Sequence, residues 1–242
     1  MADNEPKVAL LAGASGLVGE YVLDSLLDAP DFARVFAISR RPLGREHSRL
    51  ANRIVQFEKL ESQLKGTACH VAFCCLGTTL KRAGSEQAFR QVDHDFVLAF
   101  ARAARAAGAQ RFVVVTAAGA DTHSRHFYLR VKGEVEQALE GVGFASLDIM
   151  QPGLLLGWRR NIRPAELLAM AFMRLLNPFL TGARMSYRGI AARTVAAAMV
   201  GAARSGRRRV YRYTWPALQQ LAASKPVRAA VPLNPKPQSG AS

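Results

Sequence analysis

The stretch Val8-Ala-Leu-Leu-Ala-Gly-Ala-Ser-Gly-Leu-Val-Gly19 decides the fold, because a continuously apolar run leads directly into glycines at positions 13, 16 and 19. A short apolar run bounded by turn residues is typical of a strand buried on both faces of a sheet. The next segment, Leu17–Leu27, has helical character. A strand that enters a helix through such a turn can hold the pyrophosphate of a dinucleotide, since the glycines allow a tight turn and a close backbone approach to the anion. The alternative is an ordinary glycine-rich turn.

Strand and helix alternate along the first 150 residues. Apolar runs predict strands at Val8–Ala12, Val35–Ile38, Ile54–Phe57, Val71–Leu76, Phe112–Thr116 and Ser146–Met150. Helical patterns lie between several of them, at Leu17–Leu27, Glu86–Ala107 and Tyr128–Glu140. This alternation predicts an α/β fold of Rossmann type, a doubly wound parallel sheet with helices on both faces.

The pattern changes after Pro152-Gly153. Residues 164–180 predict an apolar helix, and Ile190–Ala203 predicts a second one. We expect a single domain over residues 1–222, in which residues 154–205 form a small helical part on the substrate side. Residues 223–242 contain proline and serine without periodicity, which predicts a flexible basic tail.

Composition limits the class of protein. Of 242 residues, 50% are hydrophobic and 21% charged, which is typical of a globular domain. The N-terminus is acidic and polar, unlike a signal peptide, and no apolar run is long enough to span a membrane, so we expect a cytoplasmic protein. Cys69, Cys74 and Cys75 are odd in number and lack metal-ligand spacing, which predicts buried thiols and no metal site.

The net charge of +15 is concentrated in the last part of the chain. Residues 1–150 hold 18 Lys and Arg against 17 Asp and Glu, whereas residues 151–242 hold 15 against Glu166 alone. Arginines at positions 204, 207–209 and 212 alternate with aromatic residues, a pattern that can bind phosphates or stack on bases. An excess of arginine also runs through the whole chain, so a nucleic-acid partner is not favoured over an anionic substrate.

The end of the second predicted strand bears on the choice of cofactor. An NAD enzyme carries Asp or Glu at this point, against the ribose 2′-hydroxyl. This chain instead has Arg40 and Arg41, whose guanidiniums match the oxygens of a 2′-phosphate that a carboxylate would repel. The pair favours NADP(H) over NAD(H), the alternative being two surface arginines without a ligand.

Tyr128-Leu-Arg-Val-Lys132 places a phenol and an ammonium four residues apart on one helix face. An ammonium near a phenol favours the phenolate form, which suits the phenol to acid/base work. The fifth strand ends at Thr116, whose hydroxyl could polarise a carbonyl. We predict Tyr128 as proton donor, Lys132 as the residue that tunes it, and Thr116 as an orienting donor.

Several blocks resemble one family. The order of glycine turn, strand-end hydroxyl, YxxxK and Pro-Gly is similar to the short-chain dehydrogenase/reductase superfamily. Five blocks resemble the Tat-interacting-protein-like oxidoreductases, an atypical branch: Cys74-Cys-Leu-Gly-Thr-Thr79, Val92-Asp-His-Asp95, Gly119-Ala-Asp121, Tyr128-Leu-Arg-Val-Lys-Gly-Glu-Val-Glu136 and Gln151-Pro-Gly-Leu-Leu155. The resemblance covers about residues 5–200.

The resemblance implies a cofactor site. It assigns the pyrophosphate to Gly13, Ser15, Gly16, Leu17, Val18 and Gly19, and the 2′-phosphate to Arg40 and Arg41. It assigns the ribose and nicotinamide side to Leu76, Gly77, Thr78, Thr79 and Lys132, with Pro152 and Gly153 flanking the nicotinamide. Relatives carry serines at the end of the fifth strand, whereas this chain reads Thr116-Ala117-Ala118 and keeps one hydroxyl, so the catalytic set is incomplete if the productive position is that of Ala117.

These observations predict an NADP(H)-dependent oxidoreductase acting on a small-molecule carbonyl/alcohol pair. An NADP(H)-sensing regulatory protein with little or no catalysis is the alternative, and a protein that binds nucleic acid or a membrane surface through its basic part is a third. The helix at 164–180, with Trp158 nearby, could wall a pocket, form a homodimer face or contact a membrane. For His123 and His126, and for Asp93, His94 and Asp95, surface or capping roles are expected rather than catalysis.

Overall fold

A computed structural model describes residues 6–157 and 181–223 of the chain. Within these ranges the strands are β1 Lys7–Ala12, β2 Phe32–Ser39, β3 Leu50–Ile54, β4 Val71–Cys74, β5 Arg111–Val115, β6 Ser146–Met150, β7 Leu155–Leu156, β8 Ile190–Ala191 and β9 Arg209–Tyr213. The helices are α1 Leu17–Asp28, α2 Leu60–Gln63, α3 Leu80–Ala83, α4 Glu86–Arg90, α5 Phe96–Ala106, α6 Phe127–Glu140, α7 Ala192–Arg204 and α8 Trp215–Ala223. A π turn, Gln91–Asp95, joins α4 to α5, and 3-10 turns lie at Phe57–Lys59 and Gly182–Tyr187.

Seven of the strands form one sheet in the order β3-β2-β1-β4-β5-β6-β9, and all neighbouring pairs are parallel. The chain builds outward from β1 in one direction to β3, then crosses to β4 and builds in the other. The carboxyl ends of β1 and β4 therefore flank the point where strand order reverses, which is where open parallel sheets bind ligands. The predicted Rossmann-type fold class is confirmed.

The core lies on both faces of this sheet. In β1, Ala9 and Leu11 join a cluster with α1, α7 and α8, whereas Leu10 and Ala12 join a cluster with α2, α5 and α6. A strand buried on both faces must be apolar at every position, because successive side chains point in opposite directions. This explains why the central strands were visible in the sequence as continuous apolar runs.

Both edge strands depart from the sequence prediction. The expected strand at Ile54–Phe57 is wrong, because pairing with β2 occurs at Leu50–Ile54 and Phe57 begins a 3-10 turn. The residues of β3 are partly or fully exposed, so an edge strand lacks the apolar run that marks a central one. The opposite edge, β9, was missed, and the helix predicted from Ile190 begins at Ala192, after β8.

Ionic contacts tie the basic C-terminal part to the rest of the fold. Arg111, at the start of β5, donates to Asp148 Oδ2 at 2.8 Å and to the carbonyl of Ala202 at 2.7 Å, at the end of α7. Asp148 also accepts a hydrogen bond from the Tyr213 hydroxyl of β9 at 2.9 Å. Arg204 pairs with Asp31. Arg204 and Tyr213 of the C-terminal part are thus bonded to carboxylates of the preceding part of the fold.

Some predictions fall outside the described residues, namely the helix at 164–180, Trp158 and the tail beyond Ala223. No helix of the described ranges is long and apolar enough to cross a membrane. Among the same residues, no group of three or more His, Cys, Asp or Glu side chains is placed to hold a metal ion.

Helix α6, which carries Tyr128 and Lys132, is placed by a close contact at Gly133. A Cβ at this position would overlap the backbone of Asp121 and Thr122, so the loop before the helix packs directly on helix backbone. Asp121 also donates its N–H to the carbonyl of Leu129 at 3.1 Å. The orientation of α6 therefore depends on the absence of a Cβ atom at Gly133.

We expect Gly133→Ala to destabilise the protein by about 1–3 kcal/mol, because the added methyl group meets backbone that cannot move aside. On helix propensity alone the change would stabilise by about 1 kcal/mol, so the sign separates packing from propensity. Thermal unfolding measures it. Gly141→Ala is the control, since its Cβ would lie 3.4 Å from the Ala138 carbonyl oxygen. A higher melting temperature for Gly133→Ala would contradict the contact.

Candidate nucleotide-binding and active site

The glycine turn after β1 leaves the backbone open where an anion would bind. Gly13 has φ of 84°, in the left-handed region that favours glycine. A Cβ on Gly19 would overlap the carbonyl of Gly13, and a Cβ on Gly13 would lie 2.5 Å from the Cys75 carbonyl carbon. The turn therefore packs against both the first turn of α1 and the end of β4. The residues present fit a dinucleotide, because Gly16, Leu17 and Val18 at the N-terminus of α1 line the crevice where strand order reverses.

A cavity of about 480 Å³ lies at this crevice. It brings together residues from the glycine turn, from the loops after β4 and β5, from α6 and from the segment after β6. The lining is Gly16, Leu17, Val18, Cys75, Leu76, Gly77, Thr78, Thr79, Arg82, Asp93, Val115, Thr116, Ala117, Tyr128, Lys132, Pro152, Gly153, Leu154, Leu155 and Gly157. Most of the predicted site residues therefore share one space.

Five predicted residues do not line this cavity. Gly13, Ser15 and Gly19 belong to the turn that borders it, while Arg40 and Arg41 follow β2 and are exposed. The Ser39 hydroxyl donates to the carbonyl of Arg41 at 2.7 Å and accepts from Asn52 at 2.7 Å, which fixes this corner of the sheet. In the part of the chain that the structure describes, neither guanidinium pairs with a carboxylate.

Lys132 is buried and pairs with Asp93. Its Nζ lies 2.7 Å from Asp93 Oδ1, and the two side chains are 5% and 1% exposed. Burial by itself lowers the pKa of Lys132, but the Asp93 carboxylate overcomes this and holds the lysine pKa above its usual value. The predicted partner of Lys132 was Tyr128, so the direct ionic contact with an aspartate is a finding of the structure.

Asp93 is the site residue that sequence reasoning missed, and the expected surface or capping role is wrong. The residue is four positions after Phe89 and four before Val97, both buried, so its place on the apolar face of the helix was visible. Its Oδ2 accepts the backbone N–H of Thr78 at 2.8 Å, in the loop predicted to hold the ribose. Asp93 lies within the π turn Gln91–Asp95, and such turns are frequent at functional sites.

Tyr128 lies on the cavity at the first turn of α6. Its ring packs 5.5 Å from that of Phe89 on α4, which limits its movement. His94 is partly buried beside Asp95, whereas His123 and His126 are exposed in the loop before α6 and are not part of the cavity lining.

Two cysteines lie at the end of β4, where the cavity begins. Burial raises the pKa of Cys74 to about 12 and that of Cys75 well above its usual value. Thiols that stay protonated are poor nucleophiles, so the cysteines act as packing residues. Arg82, by contrast, is exposed at the cavity and has no carboxylate partner among the described residues. Because Asp93 and Lys132 compensate each other, Arg82 leaves the cavity with positive charge.

The hydroxyl of Thr116 is directed away from its predicted use. It donates to Glu136 Oε1 at 2.7 Å. Glu136, 3% exposed, also accepts from Gln151 Nε2 at 2.9 Å and from Arg212 Nε at 2.9 Å. The Thr116 hydroxyl thus donates its hydrogen bond to a carboxylate. The geometry therefore does not support the predicted role of Thr116 as a donor that orients a substrate carbonyl. The neighbouring Ala117 contributes only a methyl group to the cavity.

A glycine turn at the reversal point of a parallel sheet, with a tyrosine and a buried lysine on the next wall of the cavity, defines an NAD(P)-binding protein of the short-chain dehydrogenase/reductase type. The chain belongs to the NAD(P)H-binding family, whose model matches residues 13–155.

Curated relatives place it more narrowly. It is 41% identical to protein HTATIP2 of Rattus norvegicus over 170 residues, 69% of this chain and 70% of the relative. It is 36% identical to the mitochondrial protein fmp52 of Emericella nidulans over 169 residues, 67% of this chain and 72% of the relative. The chain is therefore a member of the atypical branch that its sequence blocks resemble. Because the fungal relative is named mitochondrial, the cytoplasmic location stays a prediction.

Solved structures show the same fold. A short chain dehydrogenase from Burkholderia cenocepacia in complex with NADP gives a TM-score of 0.63 at 18% identity, covering 90% of this chain and 94% of that one. MoeE5 in complex with UDP-glucose and NAD gives 0.62 at 17% identity, covering 85% and 75%. At these identities the likeness concerns the fold alone.

We expect Thr116→Val to lower stability by about 1.5–3 kcal/mol, because the Glu136 carboxylate loses the hydrogen bond that the Thr116 hydroxyl donates while the shape of the side chain at 116 is kept. At this chain length the melting temperature should fall by about 5 °C. Binding of NADPH, followed by its fluorescence, should not change. Thr181→Val, at an exposed position without a side-chain cap, is the control. An unaltered melting temperature would show that the hydroxyl does not bond Glu136.

Proposed function

We propose that the protein is an NADP(H)-dependent oxidoreductase that interconverts a carbonyl compound and its alcohol. The observation that carries the proposal is the position of Tyr128. Its phenol lies on the cavity bordered by the glycine turn, four residues before buried Lys132, so an ionisable hydroxyl is available beside the space for a cofactor and a substrate.

The preference for NADP(H) rests on Arg40 and Arg41. Both follow β2, the strand next to β1, and no carboxylate stands at that strand end to meet a ribose 2′-hydroxyl. The exposed guanidiniums provide donors in a planar arrangement that suits a 2′-phosphate. Their lack of carboxylate partners among the described residues keeps them available for an anion.

The reaction follows from the cavity. When bound, the cofactor supplies or accepts a hydride at the nicotinamide ring. Tyr128 donates a proton to the carbonyl oxygen in reduction and takes it back in oxidation. Lys132 contributes positive charge next to the phenol, and the apolar residues Leu154 and Leu155 line the substrate side. The charge of Arg82 is compatible with a substrate that carries an anionic group.

One observation favours the second candidate, a protein that senses NADP(H) and has little or no catalysis. The Thr116 hydroxyl donates its hydrogen bond to Glu136, and Ala117 has no hydroxyl to present to the cavity. Among the residues of α6 and of the segment directly after β5, Tyr128 would therefore be the one hydroxyl available to donate to a substrate carbonyl. Turnover separates the candidates, because both require the same cofactor site.

We expect Tyr128→Phe to lower kcat for carbonyl reduction by about 10²–10⁴-fold, the usual contribution of a general acid. The dissociation constant for NADPH should change less than about threefold, since each threefold is under 1 kcal/mol. The measurement is NADPH consumption over a panel of aldehydes and ketones. Tyr211→Phe is the matched control, because this ring lies on β9.

Two results would decide against the enzyme. Equal rates for Tyr128→Phe and the unaltered protein would remove Tyr128 from the reaction. Tight NADPH binding with no turnover of any carbonyl would favour the sensing protein.

The cofactor preference has its own test. We expect the unaltered protein to bind NADPH more tightly than NADH, and Arg40→Ala with Arg41→Ala to weaken NADPH binding by about tenfold or more, since charge-assisted hydrogen bonds contribute about 1.5–3 kcal/mol. NADH binding should stay the same. Arg34→Ala, an exposed arginine of β2 whose guanidinium lies over the Phe36 ring, is the control. Equal losses for both nucleotides would show that the pair does not contact the 2′-phosphate.

A further inference from the structure

Asp93 joins two parts of the site through one carboxylate. Its Oδ2 accepts the Thr78 N–H at 2.8 Å, and its Oδ1 lies 2.7 Å from Lys132 Nζ. At this distance the Lys132 ammonium and the Asp93 carboxylate form a close, buried ion pair. A Cβ on Gly77 would lie 3.4 Å from this oxygen, so the loop after β4 closes tightly over the carboxylate.

The ion pair affects the protonation of Lys132. Removing an ammonium from water disfavours its charged form, and a carboxylate in contact restores it. In this part of the fold the ionisable groups that face Lys132 are Asp93 from the π turn, Tyr128 from its own helix and Cys74 from β4. Arg82 and Cys75 also line the cavity. Asp93 is the carboxylate among these groups, so the charge of Lys132 depends on it.

We propose that Asp93 is a positioning residue that keeps Lys132 protonated beside Tyr128 and thereby sets the alkaline limit of the reaction. The proposal rests on the function proposed above, in which Lys132 contributes positive charge next to the Tyr128 phenol. The same carboxylate binds Thr78, in the loop after β4 that is predicted to contact the ribose. Asp93 therefore fixes the distance between Lys132 and this loop.

The substitution Asp93→Asn removes the charge and keeps the shape and an acceptor oxygen for Thr78. The unpaired ammonium of Lys132 then loses its proton at lower pH, because no carboxylate offsets its burial. Because the proposed reaction uses the positive charge of Lys132 beside Tyr128, earlier loss of that charge moves the alkaline limb of the pH–rate profile toward acid. We expect a shift of about one pH unit or more toward acid, as for loss of an opposite charge in contact.

Asp95→Asn is the matched control. Asp95 belongs to the same π turn, but its side chain is 57% exposed and contacts His94 at 2.7 Å. This variant should keep the pH profile of the unaltered protein. If Asp93→Asn also kept that profile, the proposal would be overturned and the carboxylate would be structural.

A second readout needs no turnover. Acetic anhydride acylates only the free amine, so the extent of Lys132 acetylation against pH, measured by peptide mass spectrometry on cofactor-free protein, reports the protonation of this lysine. The midpoint should lie at lower pH in Asp93→Asn than in Asp95→Asn. Such a shift in a protein that reduces no carbonyl would support the effect of Asp93 on Lys132 and refute the proposed function. Equal midpoints would refute the effect itself.

Asp93→Asn could fail to fold because it leaves a buried charge without a partner. The double variant Asp93→Asn with Lys132→Met removes both charges, and replacing a buried pair with uncharged groups is often neutral, whereas removing one member is costly. Recovery of the melting temperature in the double variant would support the ionic pairing. An equal loss of stability in both variants would assign Asp93 to packing and to the Thr78 contact, against the proposal.

Discussion

The direct backbone contact between the carbonyl of Gly13 and the first turn of α1 at Gly19 determines where the ligand-binding crevice of this molecule lies. No side chain separates strand from helix at this turn, and Gly13 also meets the end of β4 at Cys75. The amino end of α1 is thereby held at the point where strand order reverses. The cavity, and every group that lines it from β4, β5 and α6, is arranged around this one close approach.

Two buried carboxylates bind side chains and backbone groups that line the cavity. Asp93 holds Lys132 and the loop at Thr78, while Glu136 holds the hydroxyl of Thr116 and the side chains of Gln151 and Arg212. Each carboxylate collects donors from separate elements and thereby fixes the relative positions of those elements. Two buried carboxylates, Asp93 and Glu136, thus fix the positions of the Lys132 and Thr116 side chains, which face the cavity.

The sequence was informative where physical demands are local. A strand buried on both faces must be apolar throughout, and a tight strand-to-helix turn must carry glycine, so β1, β4 and the turn at Gly13 were predicted correctly. The exposed edge strand β3 has no such demand and was displaced by several residues, and the arginine-rich β9 was missed. Asp93 and Glu136 depend on partners far along the chain, and a hydrogen bond between distant residues leaves no spacing to read.

Strand β9 has a consequence for how the family's boundaries are understood. The family model ends at residue 155, after every predicted cofactor-binding residue of this chain. Yet β9 completes the sheet, Arg212 reaches Glu136 under the cavity, and α7 covers α1 on the outer face. Arg111, which lies within the matched region, donates hydrogen bonds to the carbonyl of Ala202 in α7 and to the carbonyl of Arg207 after it. The region that the family model matches therefore depends on later parts of the chain for one edge of its sheet and for a partner of Glu136.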